Sequence, residues 1–100
     1  REVIKEWWQP MLSNQCRLQT SEYQVFAVLS MCRALYAMQH GRMISKPRAG
    51  VWAQEILPSK WSMSIRRAML WEPGIVYSEL EVVRDMIKYA VLAAEQRTRS

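Results

Sequence analysis

Residues 21 to 41 decide how the chain folds: Ser21-Glu22-Tyr23-Gln24-Val25-Phe26-Ala27-Val28-Leu29-Ser30-Met31-Cys32-Arg33-Ala34-Leu35-Tyr36-Ala37-Met38-Gln39-His40-Gly41. Apolar side chains from Tyr23 to Met38 occupy nearly the whole circumference that a helical period would give them. A helix that is apolar all round is one that neighbours surround. Ser21 to Gln24 has the S-x-x-Q form of a capping box, in which hydroxyl and amide satisfy orphan backbone N–H groups reciprocally. Gly41 can adopt the left-handed conformation that closes a helix. A long central helix is therefore predicted to start at Ser21 and to end at Gly41.

Working outward, Val3, Ile4, Trp7, Trp8 and Met11 repeat at helical spacing and predict a short first helix, with Pro10 at its distal end or at a kink. Residues 12 to 20 read as a connection. After Gly41, Ser45 followed by Lys46-Pro47 looks like a helix cap with proline in the first turn. That helix should run from about Lys46 to Ile56 and stop at Pro58. Ser59 is predicted to cap a fourth helix carrying Trp61, Met63, Ile65, Met69 and Leu70, broken by Glu72-Pro73-Gly74. Ser78-Glu79-Leu80-Glu81 is a second capping box, and Leu80, Val83, Ile87, Ala90 and Ala94 form one face of a helix of about five turns. Ile75-Val76-Tyr77 is too short to make a sheet. The expectation is one all-α domain over residues 1 to 100, a compact bundle of about five helices with antiparallel neighbours.

A chain of 100 residues, half of them hydrophobic, can bury a core without disulfides or metal. Asp85 is the only aspartate, His40 the only histidine, and Cys16 and Cys32 the only cysteines. That inventory excludes a structural zinc site and a paired-aspartate magnesium site. Glycine-rich nucleotide loops and a nucleophile elbow are missing too. No catalytic residue and no metal ligand are assigned. The longest apolar run, Val25 to Cys32, is far shorter than the roughly 20 residues of a bilayer-spanning helix. Two cysteines outside any disulfide pattern and a charged N-terminus without a secretory segment predict a cytoplasmic protein. The first residue is Arg1 rather than Met, which suggests a piece of a longer polypeptide.

The formal net charge of +5 resides between positions 42 and 67, where Arg42, Lys46, Arg48, Lys60, Arg66 and Arg67 face only Glu55. A basic zone around a helix start, whose free N–H groups favour anions, suits a phosphate platform; a solvated surface with no ligand is the other reading. Arg33, inside the most apolar helix, needs a carboxylate such as Asp85 or a glutamate, or an opening onto a polar cleft. His40 at the helix end complements the dipole. Trp7, Trp8, Trp52, Trp61 and Trp71 are too many to bury completely in one small bundle, so some should form an exposed apolar patch.

The run Ser21 to Gln24, Val28 to Tyr36, Gly41, Ser45-Lys46, Ala49, Trp52-Ala53 and Leu57-Pro58, continuing through Ile65 to Ala68 and Val83 to Tyr89, resembles the C-terminal helical domain of the streptomycin/spectinomycin adenylyltransferase family. The order and spacing of these pieces carry the likeness, which covers most of the chain. The resemblance implies an N-terminal nucleotidyltransferase domain as partner, with ATP, magnesium and an aminoglycoside-like acceptor bound between the two. It also implies transfer of AMP to an acceptor hydroxyl, and a helical half that is inactive alone and holds no cofactor by itself. Carried onto this chain, Lys46 and Lys88 would contact nucleotide phosphates, and Arg33, Tyr36 and Trp52 would shape the acceptor side. Members acting on streptomycin carry acids directly after the Ser-Lys pair and just before the Trp, where this chain has Pro47 and Val51. That departure points to another hydroxyl compound or to a spectinomycin-like molecule with fewer amines.

Two other classes compete. A helix-turn-helix would use the segments Pro47 to Ile56 and Ser59 to Leu70 with Arg66 and Arg67 on DNA, but Trp61, Met63, Met69 and Leu70 deny it a polar recognition face. A helical adaptor would self-associate through its tryptophans.

Overall fold

The computed structural model describes residues 20 to 99, which form four α-helices and one 3-10 turn with no strand among them. The helices are α1 (Ser21–His40), α2 (Lys46–Ile56), α3 (Ser62–Leu70) and α4 (Leu80–Arg99); the 3-10 turn, Ser59–Trp61, precedes α3. The all-α expectation holds. The predicted helix over Val3 to Met11, and with it Trp7, Trp8 and Cys16, lies outside the described residues.

α1 packs against α2, α3 and α4, so it occupies the centre as its apolar circumference requires. Val28, Met31 and Cys32 are fully enclosed on it. The stripe predicted for α4 supplies the opposing wall, with Val83, Ile87 and Ala90 fully enclosed and Met86 added to them. Phe26 departs from the pattern at 41% exposure, with the Lys46 ammonium 4.5 Å from its ring centroid. α2 buries the small residues Ala49, Gly50 and Ala53 and meets α3 closely at Gly50, where a Cβ would stand 2.5 Å from the Met69 sulfur.

The central helix starts at Ser21 as predicted but with another cap, and the starts of α3 and α4 are displaced from their predicted positions, each for a physical reason. Thr20, not Ser21, caps α1, its Oγ1 accepting the Tyr23 N–H at 3.1 Å. The box residues serve a distant segment instead: Ser21 Oγ accepts the Tyr77 N–H and Gln24 Oε1 accepts the Glu79 N–H, both at 2.8 Å. α3 begins three residues after Ser59, because the chain leaving Pro58 first makes the tighter 3-10 turn that buries Trp61. α4 begins at Leu80, with the Glu79 carbonyl accepting the Val83 N–H at 2.9 Å, so Ser78 lies one residue outside its cap. By contrast Gly41, at φ +76°, and Ser45, whose Oγ accepts the Arg48 N–H at 3.4 Å, act as predicted.

The described tryptophans do not form the expected exposed patch: Trp61 is buried, and Trp52 and Trp71 are half-buried. Apolar exposure falls instead on Met63, Leu70, Ile75 and Val76, the last at 82%. Trp71 is held by its Nε1–H, which donates to the Ile75 carbonyl at 2.6 Å across the Glu72-Pro73-Gly74 turn. Gly74 takes φ +101° there, as the position after proline in a type II turn requires.

Burial pushes the Cys32 thiol from 9.0 up to about 12. The folded chain thus keeps a proton that the unfolded chain releases, so this contribution is complete below pH 9 and is lost as pH rises toward 12. Unfolding free energy should fall above pH 9 with a limiting slope of about 1.4 kcal/mol per pH unit. Urea titrations at pH 8, 9 and 10 should show the decline, and Cys32→Ala should flatten it; equal slopes in both proteins would refute this origin.

Candidate functional site

Arg33, Tyr36 and His40 follow one another at helical spacing and share a stripe along α1. Arg48 and Trp52 do the same on α2. The two stripes meet where the Tyr36 and Trp52 rings make an edge contact, centroids 5.2 Å apart at 84°. The His40 ring lies 4.2 Å from Tyr36 in a tilted stack and 6.0 Å from Trp52. His40 does end α1, as the dipole argument has it, and it is also the third ring of a cluster.

Arg33 finds a partner other than the expected carboxylate. Its Nε donates to the Ile44 carbonyl at 2.9 Å and so ties the 41–45 connection to the middle of α1. A guanidinium can serve a backbone carbonyl this way while keeping its remaining N–H donors for the surroundings. Asp85, the acid named for it, is exposed on α4.

Lys46 opens α2 behind the Ser45 cap, and its Nζ stands 4.5 Å from the centroid of the Phe26 ring. Tyr23 meets that ring edge-on at 5.6 Å. Lys88 is exposed on α4, next in sequence to Tyr89, whose ring makes an edge contact with Trp61 at 5.3 Å. Tyr36 and Trp52 of the predicted acceptor set therefore touch, with Arg33 one turn away, whereas Lys46 and Lys88 stand on separate helices in separate surroundings.

Beside Trp52 opens a groove of about 460 Å³ between the ends of α1 and α2 and the second half of α4. Leu35, Met38 and Ile56 form apolar walls, and Tyr89 closes it from α4. Sequence reasoning missed Tyr89, Ile44 and Phe26 as parts of these sites, because each acts through a pairing distant in sequence.

The basic zone does not form one surface. Arg67 is paired with Glu79, whose other oxygen accepts the Ser64 hydroxyl at 3.2 Å, and Lys60 lies 5.6 Å from the Trp61 ring. Arg42, Lys46 and Arg48 remain together in sequence around the start of α2. Among the described residues no group of three or more His, Cys, Asp or Glu side chains could hold a metal ion. No helix among them is long and apolar enough to cross a membrane.

The described residues thus form an all-helical domain with a ring cluster on α1 and α2 and an apolar groove beside it. The chain belongs to the family of aminoglycoside adenylyltransferase C-terminal domains, whose family model matches residues 5–95. No curated protein and no solved structure matches it. A C-terminal domain of this kind implies a partner domain on its N-terminal side.

Proposed function

We propose that the chain is the substrate-side half of an enzyme that transfers AMP from ATP to a hydroxyl of an aminoglycoside-like acceptor. The observation that carries this reading, beyond family membership, is the Tyr36–Trp52 contact, which joins two of the three acceptor-side residues across α1 and α2. In the reaction the acceptor oxygen attacks the α-phosphorus, a P–O bond forms, pyrophosphate leaves and the hydroxyl proton passes to a base. On this reading the base and the carboxylates for magnesium belong to the N-terminal nucleotidyltransferase domain, as membership of the family implies. The ammonium groups of Lys46 and Lys88 bind ATP phosphates as point charges, and the rings of Tyr36 and Trp52 orient the acceptor. Arg33 holds the connection that ends at Lys46.

The test is transfer of radiolabelled AMP from ATP by the polypeptide carrying both domains, with streptomycin, spectinomycin and uncharged glycosides as acceptors. Labelled product is expected from the whole polypeptide and none from residues 1 to 100 alone. Lys46→Ala and Lys88→Ala should each raise the KM for ATP about tenfold, the loss of one charge-assisted phosphate contact. An absence of labelled product with every acceptor would overturn the reading.

A further inference from the structure

We infer that the turn between α3 and α4 is the docking surface for the N-terminal domain of the same polypeptide, which seats against Leu70, Ile75 and Val76. This rests on the two-domain reading above and assigns the face through which the halves meet. All three side chains are at least half exposed, and they flank the two sides of the Glu72-Pro73-Gly74 turn. Met63, exposed as well, lies seven residues before Leu70 and so two turns back on the same side of α3. Arg66 is exposed between them and adds a cation to the rim. Clustered exposed apolar side chains on a small domain mark an interaction site.

The turn is fixed in shape. The Ile75 N–H donates to the Glu72 carbonyl at 3.0 Å, the Ile75 carbonyl accepts the Trp71 indole N–H at 2.6 Å, and Tyr77, next after Val76, is anchored in the core. A surface already held in its binding shape loses little freedom on association. Position singles out the occupant. Ser21 Oγ accepts the Tyr77 N–H at 2.8 Å, so the chain enters α1 beside Val76, and what precedes Thr20 is attached at this end of the bundle. Membership of the family implies a domain on that side. Lys46 belongs to the same end, because its ammonium stands 4.5 Å from the centroid of Phe26, a residue about 7.5 Å along the α1 axis from Ser21. A domain seated on the turn therefore lies at the end of the bundle that carries one of the two ammonium groups assigned to ATP.

The experiment puts a reporter thiol in the patch. Val76→Cys, and Leu92→Cys on the second half of α4 as a control, are alkylated with iodoacetamide both in residues 1 to 100 alone and in the polypeptide carrying both domains. Peptide masses count Cys16 and Cys32 apart. Both replaced side chains are exposed, so neither change removes core packing, and Ile75→Cys serves as a second reporter. The added domain should slow labelling at position 76 about tenfold, the protection that a tethered partner at about millimolar effective concentration gives a contact of about 0.1 mM affinity. Position 75 should be slowed in the same direction, and position 92 should react at one rate in both polypeptides. Equal rates at 76 in the two polypeptides overturn the inference, as does a slowing that position 92 shares. Slowing at 76 in residues 1 to 100 alone that grows with protein concentration assigns the patch to a second copy and overturns it too. The AMP-transfer assay separates the two levels. Slowing at 76 without transfer to any acceptor keeps the interface and removes the reaction, whereas transfer with equal rates at 76 keeps the reaction and removes the interface.

Discussion

Tyr77→Ala is expected to lower the unfolding free energy by about 3–5 kcal/mol, the usual cost of deleting a buried aromatic ring. Tyr77 is only 4% exposed although it lies in the connection between α3 and α4 rather than in a helix. Its hydroxyl donates to the Ser64 carbonyl of α3 at 2.8 Å, and its N–H donates to Ser21 Oγ of α1 at the same distance. Two residues on, Glu79 repeats the arrangement, with its N–H on Gln24 of α1 and its carboxylate on Ser64 and Arg67 of α3. The ring is thus the apolar plug of a clamp that joins three helices, and removing it leaves a cavity beside polar groups that depend on the clamp. A small domain has only about 5–15 kcal/mol in total, so the midpoint of thermal unfolding should fall by at least about 12 °C. Tyr77→Phe keeps the plug and should cost about 1 kcal/mol. Tryptophan fluorescence during urea unfolding measures both, and equal losses would mean that the hydroxyl, not the ring, carries the effect. Burial, followed by the nearby Glu79 carboxylate, raises the Tyr77 hydroxyl well above its ordinary 10.0, opposed in part by Arg67. The wild-type clamp is therefore complete below pH 10 and weakens above it, in the same direction as Cys32.

This clamp also marks where reading the sequence stops. Periodicity identifies α1 and the buried stripe of α4 because those residues repeat a local geometry that needs no knowledge of partners. The end of α1 and the start of α2 are legible for the same reason, since Gly41 and Ser45 satisfy backbone groups within a few residues of themselves. Ser21 and Gln24 mislead because their side chains satisfy N–H groups 56 and 55 residues away, and Thr20 takes the local duty unannounced. Likewise Arg33 in an apolar helix signals a polar partner, yet the carbonyl it finds belongs to Ile44, a residue with no polar side chain to announce it. Within the candidate site, Tyr36 and Trp52 were legible through the family resemblance, which carries long-range geometry that composition lacks. The groove was not, for its walls converge from three helices whose individual patterns read only as core.

Arg33→Ala is expected to reduce kcat/KM for AMP transfer by the two-domain polypeptide about a hundredfold, the penalty associated with displacing reactive groups by roughly an ångström. The guanidinium fixes Ile44 against α1, and Ile44 immediately precedes the Ser45 cap and Lys46. Without that bond the 41–45 connection keeps the Gly41 N–H on the Ala37 carbonyl, the Ser45 cap and the apolar packing of Ile44, but loses the hydrogen bond between its middle and α1 that fixes its register. α2 can then shift relative to α1, moving Lys46 from Phe26 and opening the Tyr36–Trp52 contact together. Fold stability should suffer far less, by about 1 kcal/mol, since one half-buried hydrogen bond is lost. Arg33→Lys should recover little activity, because an ammonium on a flexible stem does not reproduce the planar fork whose Nε meets Ile44. Initial-rate kinetics with ATP and acceptor varied in turn, set beside urea unfolding of the same proteins, distinguish the outcomes. A fall in activity that merely tracks lost stability would assign Arg33 to the fold alone. A large fall with stability nearly intact would place it in the alignment of the two substrate walls.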